Sequence, residues 1–170
     1  GLATSSDFAV TVDSIPALAN DGNLVDNTGT PLLSQEVCEG GALERLYVEV
    51  TSDPSSTAVF EYQWYSNTTN SNTGGNPIGA SSATYNPVST SAGTTYYYVV
   101  VSQQGSGCVV ASNTSSVTVT APSITDQPTP LTEVCVDGAV ELSVAVADGV
   151  GTPTYQWYKS IINSNTGFTE

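Results

Sequence analysis

The chain has 170 residues, with sixteen acidic and two basic side chains, no His, no Met and a formal net charge of −14. Because phosphate neutralisation needs clustered Lys and Arg, this balance argues against nucleic acid and against an anionic membrane surface as partners. Abundant Ser, Thr, Gly, Val and Tyr, without a helical apolar period or a long apolar stretch, predict an all-β fold with no direct membrane insertion.

The first predicted element is a strand in SSDFAVTVDSIP, Ser5 to Pro16. It resembles NTSSVTVTAPSI, Asn113 to Ile124, where a strand runs into a linker. We therefore assign residues 1–17 to the last strand of a preceding repeat, and residues 18–121 to a complete repeat.

A long linker, ANDGNLVDNTGT, follows at Ala19 to Thr30. From Val12 to Cys38 there are 26 positions, ten more than the 16 from Val119 to Cys135. Oxygen-bearing side chains in such a loop are possible ligands for Ca²⁺, which prefers carboxylate and carbonyl oxygens. An Asx-rich turn explains the same residues without a metal, and no other cofactor is expected. The candidate ligands are Asp21, Asn23 and Asp26.

Four further segments of the repeat show strand patterns in chain order. Alternation of apolar and polar residues predicts strands at Leu46–Val50 and Phe60–Trp64. Runs rich in β-branched and aromatic residues predict strands at Thr94–Ser102 and Ser116–Thr120. Gly and Pro separate these segments, and short strands at this spacing predict a β-sandwich.

The tryptophan strand occurs twice in the chain. YQWYSNTTNSNTG begins at Tyr62, and YQWYKSIINSNTG begins at Tyr155. We expect Trp64 and Trp157 to occupy equivalent core positions between two sheets. The alternative is a pair of exposed rings that bind sugars.

The segment before each tryptophan strand is also repeated. VCEGGALERLYVEV begins at Val37, and VCVDGAVELSVAV begins at Val134, with one extra residue near Arg45 in the first copy. Residues 122–170 therefore read as the first part of a following repeat, so that the chain holds one complete and two partial repeats. We expect the parent protein to begin before Gly1 and to continue past Glu170.

Seven motifs occur in order along the chain: VCEGG, YQWYSN, NTGGNPI, ATYNP, AGTTYYYVVV, GSGC and SVTVT. This set resembles the immunoglobulin-like repeats of giant surface proteins of gliding bacteria of the Bacteroidetes type. The resemblance implies a cell-surface adhesin or stalk, used in gliding motility or surface attachment and exported by the type IX secretion route. It further implies an extracellular location outside the outer membrane, with neighbouring repeats as partners and polysaccharide or substratum bound through other parts of the protein.

The three cysteines fit an oxidising exterior. Cys38 and Cys108 lie in one repeat, whereas Cys135 matches Cys38 in the next, so we predict a Cys38–Cys108 disulfide. Two buried thiols, or a bridge between repeats through Cys108 and Cys135, are the alternatives.

The tripeptide DSI, Asp13 to Ile15, resembles the short O-glycosylation sequence of such bacteria. It would place a glycan on Ser14, although a plain linker explains the same residues.

An enzyme is not expected, because the chain lacks His and lacks a glycine-rich phosphate loop that opens a helix. The leading hypothesis is a structural and adhesive repeat. An immunoglobulin-like or carbohydrate-binding module of a secreted enzyme is the alternative, and a strand-exchanging filament subunit is a minor one.

Overall fold

The computed structural model describes residues 16–51, 58–105, 107–130, 133–147 and 154–161. The chain divides into two compact units, Gly1–Thr120 (unit 1) and Ala121–Glu170 (unit 2). Apart from one short 3-10 turn at Asn20–Gly22, the described residues form strands and loops. The all-β prediction is confirmed.

The described part of unit 1 contains ten strands, and that of unit 2 contains two. In unit 1 they are β1 (Ala17–Leu18), β2 (Ser34–Cys38), β3 (Leu46–Tyr47), β4 (Val50–Thr51), β5 (Phe60–Asn67), β6 (Asn76–Ile78), β7 (Thr84–Tyr85), β8 (Gly93–Gln103), β9 (Val109–Ala111) and β10 (Ser115–Thr120). In unit 2 they are β11 (Ser123–Asp126) and β12 (Ala145–Ala147).

A six-stranded sheet is the main element of unit 1. Its strand order is β2-β10-β8-β5-β6, and β9 pairs with β8 beside β10. The central strands pair antiparallel, with Trp64 opposite Val99 and Val117 opposite Thr95. Strand β2 is the exception, because it runs parallel to β10, with Val37 opposite Val119.

Two short antiparallel ribbons complete the described part of unit 1. One pairs β1 with β4, and the other pairs β3 with β7. Leu46 and Val48, from β3 and the residues after it, belong to one buried cluster with Trp64 and Val99 of the six-stranded sheet. The core therefore lies between the ribbons and the sheet.

Side-chain alternation explains which residues fill this core. Along β8, Tyr97, Val99 and Val101 are buried and belong to the cluster, as expected when successive side chains point to opposite faces. Full burial of an aliphatic side chain such as Val99 contributes about 1.5 to 3 kcal/mol. The tyrosine-rich strand therefore supplies much of the stabilisation of unit 1.

Unit 2 shows one antiparallel ribbon among its described residues, in which β11 pairs with β12. Its large apolar side chains are exposed, Val136 at 94% and Trp157 at 48%. The described residues of unit 2 thus lack the buried cluster found in unit 1.

Candidate functional site

Trp64 has no exposed surface. Its indole Nε1 donates a hydrogen bond to the Ser82 carbonyl oxygen at 2.8 Å. Its ring stacks on Tyr85 with centroids 5.6 Å apart, and Tyr85 in turn contacts Tyr97 at 5.5 Å. No face of this indole is open to a sugar, so the sugar-binding alternative is wrong for Trp64.

Trp157 lies in a different environment. It is 48% exposed, and Tyr155 beside it is 53% exposed. The core position expected for Trp157 is therefore not found in the described part of unit 2. The physical reason is that this part contains one two-stranded ribbon, whereas Trp64 is covered by β7 and β8.

The predicted Cys38–Cys108 disulfide is wrong. Cys38 of β2 pairs with Thr120 of β10. The residue before Thr120, Val119, pairs with Gly93, the first residue of β8, so Cys38 lies near that end of β8. The Cys108 carbonyl oxygen accepts a hydrogen bond from the Gln103 amide at 3.1 Å, at the last residue of β8. Strand β8 has eleven residues, and at about 3.3 Å per residue its ends are roughly 33 Å apart. A disulfide requires Cα atoms about 4.4 to 6.8 Å apart, and the described residues contain none.

The proposed calcium ligands act as loop-forming groups. Asp26 Oδ1 accepts hydrogen bonds from the Thr28 amide at 2.8 Å, the Thr28 hydroxyl at 2.7 Å and the Thr30 amide at 3.0 Å. The hydrogen bonds from Thr28 and Thr30 lower the pKa of the Asp26 carboxyl below its ordinary value. This geometry is that of an Asx turn.

The other two calcium candidates lie in a left-handed turn anchored by Asn113. Asn20 and Asp21 have φ angles of 53° and 55°, which Asn and Asp tolerate better than most residues. Asn113 Nδ2 donates to the Asp21 carbonyl oxygen at 3.1 Å and to Asn23 Oδ1 at 3.0 Å. Within the described part of the chain, no group of three or more His, Cys, Asp or Glu is placed to hold a metal ion. The Asx-rich turn therefore accounts for the side chains of Asp26 and Asn23, and Asp21 contributes its main-chain carbonyl oxygen. Ser14 lies outside the described residues.

The repeated NSNTG sequence forms a junction in unit 1. Asn72 Nδ2 donates to the Ser112 carbonyl oxygen at 3.0 Å, and the Thr114 hydroxyl donates to Asn70 Oδ1. Asn67 Nδ2 donates to the Thr73 carbonyl oxygen at 3.1 Å from the base of the loop. These bonds fasten the loop to the segment between β9 and β10, so a structural role accounts for the motif.

A concave surface surrounds Arg45, just before β3. The cavity has a volume of ≈ 520 Å³. Arg45 Nε donates to Asn86 Oδ1 at 2.8 Å, which holds the guanidinium against the residues before β8. In the sequence, the signal at this site is the one extra residue near Arg45 in the first copy. The lining residues are Asn27, Leu43, Glu44, Arg45, Tyr47 and Asn86.

Residues 27–121 match a family described as a domain of unknown function (DUF8696). The chain belongs to the DUF8696 family. The match covers more than half of the chain and includes β2 to β10, so this DUF8696 domain contains Trp64, the NSNTG junction and the Arg45 cavity. Comparison with curated proteins and with solved structures gave no match. The described residues include no helix long and apolar enough to cross a membrane.

Proposed function

We propose that this DUF8696 chain is a non-catalytic repeat segment of a long extracellular adhesin or stalk, displayed outside the outer membrane of a gliding bacterium and exported by the type IX route. Its direct partners are the neighbouring repeats of the same protein. The motif resemblance suggests this class of protein, and the internal geometry of the two units supports the tandem arrangement.

One observation carries the proposal, namely that the two units share a strand register. Leu18 pairs with Val50 in unit 1, and Ile124 pairs with Val146 in unit 2. Val50 and Val146 are the equivalent residues of the two aligned sequence copies. The β11–β12 ribbon of unit 2 therefore has the same register at this residue as the β1–β4 ribbon of unit 1.

The turn after the repeated cysteine supports the same equivalence. The Gly41 amide donates to the Cys38 carbonyl oxygen at 2.8 Å, and the Gly138 amide donates to the Cys135 carbonyl oxygen at 2.8 Å. The residue before each glycine is left-handed, with a φ of 80° at Gly40 and 67° at Asp137. Equal geometry at equivalent positions is expected of two copies of one repeat.

Exposure supports an array in which further strands cover unit 2. Leu46 is 0% exposed, whereas its equivalent Leu142 is 46% exposed, and the two tryptophans differ in the same way. Large exposed apolar side chains at core positions cost burial energy and favour aggregation. Strands equivalent to β7 and β8 would remove that cost.

Three features of unit 1 support an immunoglobulin-like sandwich. An early strand, β2, runs parallel to the last strand, β10, while all other pairings in the sheet are antiparallel. A buried Trp64 lies in a central strand. Tyr97 is the fifth residue of β8, two residues before the core residue Val99, and its hydroxyl interacts with the upstream Val88 backbone. This contact with an upstream backbone group resembles the tyrosine corner of such sandwiches.

Surface display and repeat architecture are tested together. Antibodies against folded unit 1 should label intact, non-permeabilised cells. Electron microscopy of the purified parent protein should show beads at a regular spacing of roughly 35 Å or more, the length of β8 plus a linker. Labelling that needs permeabilised cells, or a single compact particle, would overturn the proposal.

A further inference from the structure

Arg45 is the one basic residue of unit 1, since Lys159 lies in unit 2. Its Nε is bonded to Asn86. Among the residues that the structure describes, its two terminal amino groups make no hydrogen bond or ion pair. A guanidinium held at one end, with its outer N–H groups open, is oriented to receive a carboxylate in two parallel hydrogen bonds.

The other lining groups of the cavity complement a sugar ring. Leu43 and Tyr47 are half-buried and offer apolar surface, whereas Asn27 and Glu44 are exposed and offer an amide and a carboxylate. An amide donates and accepts, and a carboxylate accepts hydrogen bonds from hydroxyl groups. A volume of ≈ 520 Å³ lies within the range of about 300 to 1,000 Å³ typical of ligand sites.

Two of the elements that form this cavity occur only in the first sequence copy. Arg45 is the extra residue, because ALERL in the first copy aligns with AVEL in the second. Asn27 belongs to the linker that is ten positions longer, 26 against 16, than the linker before Cys135. The repeated framework therefore does not require either residue.

We propose that the Arg45 cavity binds a uronate residue of an acidic polysaccharide. The sugar carboxylate pairs with the outer N–H groups of Arg45, ring hydroxyls bond Glu44 and Asn27, and the C–H face of the ring packs on Tyr47. All residues of the site belong to unit 1. This proposal therefore goes beyond the stalk proposal and is tested separately from it.

Hydroxyl donors favour a uronate glycan over an acidic peptide in this cavity. The chain carries a net charge of −14, and Glu44 lies beside Arg45 in the cavity lining. The side chains of an acidic peptide carry carboxylates and no hydroxyl groups, so they would meet Glu44 without a hydrogen-bond donor. A uronate supplies one carboxylate together with several hydroxyl donors, which matches the paired charges of the cavity.

The test is calorimetric titration of the purified 170-residue chain with oligogalacturonate, in parallel with oligomaltose and poly-L-glutamate. We expect saturable binding of oligogalacturonate alone. Arg45→Gln should weaken it by about tenfold or more, because a charged hydrogen-bonding partner is lost. Lys159→Gln, which changes the net charge equally, should leave affinity within about twofold.

Several outcomes overturn the proposal. These are absence of oligogalacturonate binding, equal binding of oligomaltose, or an Arg45→Gln protein that is folded by circular dichroism and binds like the parent. Stronger binding of poly-L-glutamate that Arg45→Gln abolishes would assign the cavity to acidic peptides instead. Tyr47→Ala is a second test, and it leaves the net charge unchanged. If circular dichroism shows this variant to be folded, a ligand whose ring packs on Tyr47 should bind it more weakly than the parent.

Discussion

Cys38 and Cys108 lie at opposite ends of β8, although both belong to one repeat. We therefore expect non-reducing peptide mapping to find no Cys38–Cys108 crosslink. A reductant should leave the melting temperature unchanged, whereas loss of a disulfide closing about 70 residues would cost about 4 kcal/mol. A reductant-sensitive melting temperature in dilute monomer would contradict this prediction.

Replacing Trp64 with Ala should lower the free energy of unfolding of unit 1 by about 3 to 5 kcal/mol, because a fully buried ring leaves a cavity. Trp157→Ala is the matched control, since that ring is 48% exposed, and it should cost less than about 1 kcal/mol. Urea unfolding followed by circular dichroism measures both. Equal costs for the two variants would count against the different environments of the two rings.

Gly75→Ala should destabilise unit 1 by about 1 to 3 kcal/mol through overpacking. An added Cβ at Gly75 would lie 2.8 Å from the Ser66 carbonyl oxygen and 3.0 Å from Tyr98 Cε1. The Gly75 amide also donates to the Tyr98 hydroxyl at 3.1 Å, so the loop cannot move away without breaking that bond.

Gly74→Asn is the control for this position. Gly74 has a φ of 72° and open space around an added Cβ, and Asn tolerates left-handed backbone. The thermal midpoint of Gly74→Asn should stay close to that of the parent. A larger loss at Gly74 than at Gly75 would refute the packing explanation.

The Asp26 loop should make stability depend on pH in the acidic range. Because the folded-state pKa of Asp26 is lowered from 3.8, ionised Asp26 stabilises the fold above about that pH, and this stabilisation is lost as pH falls through the folded pKa. Asp26→Asn keeps an acceptor oxygen but cannot ionise. Its melting temperature should lie below that of the parent at neutral pH and converge with it as the pH falls through the folded-state pKa of Asp26.

Glu39→Gln is the matched control for Asp26→Asn, since the Glu39 carboxylate makes no hydrogen bond with the described residues. Its melting temperature should follow the parent curve across the same pH range. If Asp26→Asn retained the full acid dependence, the Asx turn would not be the source of it.

Several strands could be predicted from local pattern alone. Alternation in FEYQW and the aromatic run TTYYYVVVS correctly indicate β5 and β8 and the core position of Trp64. The predicted strand at Leu46–Val50 is instead divided into β3 and β4, because β3 pairs with β7 whereas β4 pairs with β1.

Candidate sites were less predictable than strands. The three calcium candidates share a loop. Yet Asp26 Oδ1 accepts hydrogen bonds from Thr28 and Thr30, and Asn113 donates to Asn23 Oδ1 and to the Asp21 main-chain carbonyl oxygen. Arg45 lines a cavity with Asn27 and Asn86, residues 18 and 41 positions away. The only signal for it in the sequence was the extra residue between two aligned copies.

By itself, the sequence determined that this chain is all-β, that its pattern repeats, and that the apolar residues of β5 share one face, since side chains alternate along any strand. Only the tertiary structure decided that β2 runs parallel to β10 and that Cys38 and Cys108 lie far apart. Strand partners and directions depend on contacts between residues distant in sequence, which a local pattern does not record.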